Sequence, residues 1–237
     1  MAKSRKNSPA ELAPVPVISA TYYVEVYSSW CHWAEPAWSE LRARYAGRVA
    51  FDWRVALMRP EDFPADRAQC DWFYRRSGTL VGSPVMLNSG WMEPDRSAYA
   101  TPNLVAEAAR EFLPPGDDRA RLALTRAALL DGRRLGDPAV AARFAADATD
   151  GAVTAARLRA TATSDAIRAR VAASTTDFFA HQIAQRPAFV LTSSIGDKIV
   201  LSGVWRLAPL VAALDSLLAD AAAYASHRAH HGAPPTA

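Results

Sequence analysis

The amino-acid sequence predicts an α/β fold into which a large block of helices is inserted. Three observations carry this. Near the start of the chain a strand pattern passes through a tight turn into a helix and then into a second strand, a βαβ unit. Between Asn103 and Ala180 apolar residues recur at helical spacing in four or five successive segments. After Pro187 the β pattern returns as a hairpin, and a closing helix follows.

Residues 1–20, with Lys3, Arg5, Lys6, Pro14 and Pro16, read as a flexible tail without an apolar block long enough for a signal peptide. Thr21 to Tyr27 alternates β-branched and aromatic residues as a strand does. The run stops at Ser28 and Ser29; from Cys31 onward Ala34, Ala37, Leu41 and Tyr45 mark one helical face, so the helix starts at a thiol. Pro36 falls within its first turns, where a missing N–H is tolerated, and Gly47 offers a C′ residue to end it. Arg48 to Leu57 forms the second strand with Val49, Phe51, Trp53 and Val55 on one face, and a right-handed crossover makes the two strands parallel.

From Met58 to Pro102 prolines break the pattern, and only Ala65 to Arg76 reads as helix. Trp72, Tyr74, Arg75, Arg76, Asn88 and Trp91 lie here, either as a pocket wall or as packing beneath long loops. In the helical block Leu104, Ala108 and Phe112 form one stripe, Leu122, Ala123, Ala127 and Leu130 a second, and Val140, Phe144 and Ala148 a third. Ile167, Val171 and Phe178 mark a later helix, and Asp137-Pro138 is a helix start. The hairpin pairs Ala188–Thr192 with Lys198–Leu201, and Pro209 to Tyr224 makes the last helix on Leu210, Leu214, Leu217, Leu218 and Ala221.

The chain therefore divides into a tail (1–20), the first part of an α/β domain (21–102), an inserted helical subdomain (103–182), the second part of the domain (183–225) and a loose tail (226–237). In that tail His227, His230 and His231 are metal ligands only if the segment is helical, and a mobile terminus is the expectation.

Of the 237 residues half are hydrophobic, enough for one substantial core. The net charge is +3, with arginines interleaved with acids and no basic stripe, which argues against nucleic-acid binding. No run approaches the ~18 continuous apolar residues of a membrane span. A cytoplasmic location is expected, where Cys31 and Cys70 stay reduced. No Cys/His spacing resembles a zinc site, so no metal is expected. A homodimer is left open.

The chemistry centres on Cys31. Unpaired N–H groups and the dipole at a helix start stabilise an anion, so a thiolate forms more easily there, and a protonated His32 would add to the effect. Cys31 is then a nucleophile or an anion-binding group; the other reading is a small buried hydrophobe. Trp30 and Trp33 flank it and are candidates to line a ligand cavity.

This order of elements resembles the DsbA-like group of the thioredoxin fold, which includes FrnE-type oxidoreductases, 2-hydroxychromene-2-carboxylate isomerases and kappa-class glutathione transferases. The resemblance covers roughly Tyr22 to Tyr224 and rests on Ser28-Ser29-Trp30-Cys31-His32-Trp33-Ala34, on Gln185-Arg186-Pro187-Ala188-Phe189-Val190, and on the closing Asp197 to Val204. It implies a thioredoxin-like fold with a large helical insertion, Cys31 at the nucleophilic position, and a cis Pro187 facing the sulfur. Backbone groups beside a cis proline can bind an extended peptide-like ligand such as glutathione.

Dithiol members of the group have a second cysteine three residues after the first; here that position is Ala34. The resemblance thus implies a monothiol enzyme: a glutathione-type transferase or isomerase, or a thiol oxidoreductase using an external low-molecular-weight thiol. Ser28 and Ser29 would hold the thiol sulfur, His32 would serve as acid–base group, and Arg186 would pair with a ligand carboxylate. The substrate would be a small-molecule electrophile or a thiol or disulfide. Two other functions stand beside it: a non-catalytic, chaperone-like or partner-binding module, and a dithiol oxidoreductase using Cys31 with Cys70.

Overall fold

The computed structural model describes residues 17–232. Of the ends expected as loose tails, residues 1–16 and 233–237 lie outside these residues. Strand β1 (Ile18–Val24) leads through a turn into helix α1 (Ser29–Arg44) and then into β2 (Val49–Val55). After α2 (Arg67–Val81) come the five helices of the insertion, α3 (Thr101–Ala109), α4 (Arg119–Leu129), α5 (Pro138–Asp147), α6 (Ala155–Ala162) and α7 (Asp165–Ala180). The hairpin β3 (Ala188–Ser193) and β4 (Lys198–Ser202) and the helix α8 (Leu207–His231) complete the chain.

The sheet order is β2-β1-β3-β4. β1 and β2 are parallel in the register Tyr22 to Trp53, while β3 runs antiparallel to both β1 and β4. Because successive side chains of a strand point to opposite faces, Tyr22 and Tyr23 serve different layers. Tyr22 stacks on Phe189, its cross-strand neighbour, with ring centres 4.7 Å apart, and belongs to the main core with Trp38. Tyr23 meets Phe178 of α7 at 5.6 Å in a second cluster. Helices α1 and α8 cover one face of the sheet, and α7 packs against β2 on the other.

Several boundaries differ from the sequence reading. β1 begins at Ile18, inside the supposed tail, and ends at Val24 because the Glu25 carboxylate turns back to accept the Tyr27 N–H. α2 continues to Val81 and stops at Gly82, whose φ of +67° is a left-handed conformation suited to glycine. In α4 the buried face holds Arg121, Leu124 and Ala128, whereas Leu122 is exposed, since Arg121 turns inward to an acidic partner. α8 does not end at Tyr224 but runs through the alanine-rich stretch to His231, with Gly232 as its cap. It is also long and apolar enough to cross a membrane, at a mean hydropathy of 1.4.

Candidate active site

The turn before α1 is held by the insertion. Glu25 is buried, and its carboxylate accepts the Tyr27 backbone N–H at 3.2 Å and the Asn103 side-chain amide. The Asn103 carbonyl in turn accepts the Val26 N–H at 3.0 Å. Burial raises the Glu25 pKa to about 7, although these hydrogen bonds and Arg186 pull the other way.

Ser28 caps α1. Its Oγ accepts the Cys31 N–H at 3.3 Å, which satisfies one first-turn donor and leaves those of Ser29 and Trp30 without an intrahelical acceptor. A cavity of about 270 Å³ opens at this end of the helix, bordered by Ser28, Ser29, Trp30, Arg76, Gln185 and Arg186. Tyr27, Phe63 and Trp91 give it an aromatic wall, Tyr27 stacking on Trp91 at 4.4 Å. Tyr74 also borders it; the Tyr74 hydroxyl accepts the Trp91 indole N–H at 2.7 Å, which fixes that wall.

Cys31 does not border the cavity. It is the third residue of α1, is only 2% exposed, and packs in the main core, as does Ala34 one turn further on. Burial pushes its thiol up to about 12; the Ser28 side chain and the Glu25 backbone pull it down by less. Burial thus works against the easily formed thiolate expected from the helix start. Cys70 is likewise free and buried, its thiol pushed up to about 11 by burial.

His32 and Trp33 point elsewhere. Both line a separate depression with Glu35, Arg42 and Asp118, and the Trp33 indole N–H donates to Ser77 at 3.1 Å. Burial lowers the His32 pKa, although Glu35 pulls it the other way, which works against a positive charge beside Cys31. Arg186 borders the cavity, yet its guanidinium donates to the carbonyls of Ala56, Leu57 and Ala184 and lies over the Phe178 ring at 4.5 Å. It ties the segment before β3 to the end of β2. The Arg186–Pro187 peptide bond is cis, and the residues before it meet the start of α1 across the cavity.

Sequence reasoning missed Glu25 and Asn103. A charged residue inside an alternating apolar run was the available signal for Glu25; nothing in the sequence joins it to a residue so distant along the chain.

No protein-family model matches the sequence, and no curated protein does. Solved structures do. A candidate protein disulfide isomerase from Nitrosomonas europaea superposes with a TM-score of 0.71 at 18% identity, over 86% of this chain and 98% of that one. The cytosolic disulfide reductase DsbM from Pseudomonas aeruginosa, solved with GSH, gives 0.62 at 19% identity over 84% and 98%. A 2-hydroxychromene-2-carboxylate isomerase gives 0.60 at 13% identity over 87% and 98%. All three are similar along nearly their whole length, insertion included. The chain therefore adopts the DsbA-like thioredoxin fold with its helical insertion.

Proposed function

We propose that this protein is a thiol-dependent enzyme whose reactive sulfur belongs to an external low-molecular-weight thiol, glutathione being the first candidate, held at Ser28 and Ser29. The observation that carries this reading is the contrast along one helical turn. Ser28 caps the helix at the cavity, whereas Cys31 is buried with its thiol pushed up to about 12. The Ser28–Cys31 spacing then corresponds to the dithiol turn with serine at the outer position, rather than Cys31 and Ala34.

The residues present fit such a group. Two first-turn N–H groups and two hydroxyls lie at the positive end of a 16-residue helix, where they would stabilise a sulfur anion. Gln185 and Arg186, ahead of the cis bond, border the same space, where their backbone groups would receive a peptide-like ligand. When bound, the thiol supplies a nucleophile that adds reversibly to an unsaturated or otherwise electrophilic small molecule. Tyr27, Phe63 and Trp91 would hold a flat apolar substrate beside it. The occurrence of GSH with DsbM, and of an isomerase on the same fold, supports this reading. The cytosolic description of DsbM supports a cytoplasmic location.

Calorimetric titration of glutathione into the protein tests it. Binding is expected, and Ser28→Ala should weaken it about tenfold, the loss of one hydrogen bond to an anion. Absence of binding by the wild-type protein would leave a partner-binding module. Unchanged glutathione affinity in Ser28→Ala, with turnover lost in Cys31→Ser, would return the chemistry to Cys31.

A further inference from the structure

The last helix outruns the sheet it covers. Its first half buries Leu210, Leu214 and Leu217 against the core, but every residue beyond Ala221 is exposed. In this overhang His227 and His231 stand one turn apart with ring centres 4.5 Å from each other. His230 is engaged differently: its Nδ1 lies 2.8 Å from the Ser226 carbonyl, and its ring is 6.5 Å from that of His231.

That first separation has a chemical meaning. With metal–nitrogen bonds of about 2.0–2.1 Å and a ring centre roughly 1.2 Å beyond each nitrogen, two imidazoles at right angles about one cation have centres about 4.5 Å apart. Histidines four residues apart on one helix face are a chelating pair. We propose that His227 and His231 bind a divalent first-row transition cation, Cu²⁺ or Ni²⁺ foremost by the general affinity order of such ligands, independently of the thiol site.

Among the described residues no three His, Cys, Asp or Glu side chains gather round a common point, so water completes the coordination. The two histidines also border a broad groove, with Val17, Ser194 and Ile195 on its other side, which leaves room for that water. Arg228 borders it too, and its charge opposes a cation there. Because the chelate spans the final turn of α8, binding should also fix that turn against fraying.

The test is calorimetry on the untagged full-length protein with Ni²⁺ and with Cu²⁺, alongside far-UV circular dichroism. One ion per chain is expected, with Cu²⁺ the tighter and helix content rising on saturation. His227→Ala and His231→Ala should each lower the Ni²⁺ affinity at least tenfold, whereas His230→Ala should leave it within threefold. If His230→Ala weakens binding as much as the others, the ion is held by an undifferentiated histidine-rich end and the chelate is refuted. If one ion still binds with wild-type affinity when His227 and His231 are both alanine, the site lies elsewhere.

Discussion

The Ser28 hydroxyl accepts the Cys31 backbone N–H at 3.3 Å, so the residue that opens α1 at the cavity also fixes the turn that buries the thiol. Ser28→Ala should destabilise the fold by about 1 kcal/mol, the usual worth of an N-cap side chain. Urea unfolding measures it.

Ser28→Cys places two sulfurs at the spacing of a Cys-X-X-Cys turn, with the outer one at a helix N-terminus, where its pKa is lowered. Oxidation of this variant should remove two hydrogens from the intact mass, whereas the wild-type protein, with both thiols buried, should keep them. The variant should also gain disulfide reductase activity toward insulin. No mass change on oxidation would mean that Ser28 and Cys31 do not face one another as the cap geometry requires.

Glu25 makes stability depend on pH in a direction opposite to that of most carboxylates. Its pKa is about 7 in the folded protein, against an ordinary 4.5. Between these values the native state holds a proton that the unfolded chain has released, so stability falls as pH rises through that window. The total is about 3 kcal/mol for an isolated group. Glu25→Gln, always neutral, escapes this loss, and should gain stability relative to wild type between pH 4.5 and pH 8. Urea midpoints at the two pH values measure it; parallel behaviour of the two proteins would show that Glu25 ionises normally.

Much of the fold was legible because its elements have clear periods. The alternation before Ser28, the 3.6-residue stripes after Asn103 and the hairpin after Pro187 all correspond to elements of the structure. What periodicity does not give is which of two adjacent serines caps a helix. The cap decides whether a residue three positions later faces outward or inward, and Ser28 as cap turns Cys31 into the core. The same limit applies to His32 and Trp33, which neighbour Cys31 in sequence but project into another depression. Contacts across long separations, such as Glu25 with Asn103, leave no local signature. The extension of α8 was visible in principle, since the alanine-rich run from Ala219 to His231 contains no glycine or proline.

The insertion is fastened to α1 by a buried ion pair. Arg121 of α4, 2% exposed, donates to both Glu35 oxygens, at 2.5 and 3.0 Å, and to Asp118 at 3.0 Å. Glu35 lies one turn after Cys31 and also approaches the Tyr22 hydroxyl, 3.3 Å away. Removing one partner of a buried pair leaves an uncompensated charge and costs about 3–5 kcal/mol. Arg121→Ala should show that loss in urea unfolding, while the double variant Arg121→Met, Glu35→Leu should recover most of it. Equal destabilisation in both would assign the effect to lost packing over Trp53, above which the guanidinium lies at 5.2 Å.

The most direct test of the central claim is the rate of iodoacetamide alkylation at Cys31 as a function of pH, read by mass spectrometry on the folded Cys70→Ala protein. Burial of the thiol predicts no plateau below pH 9 and labelling far slower than that of a free cysteine, whose pKa is about 8.5. Rapid labelling with a midpoint near pH 6 would contradict the account, making Cys31 itself the accessible thiolate and an external thiol unnecessary.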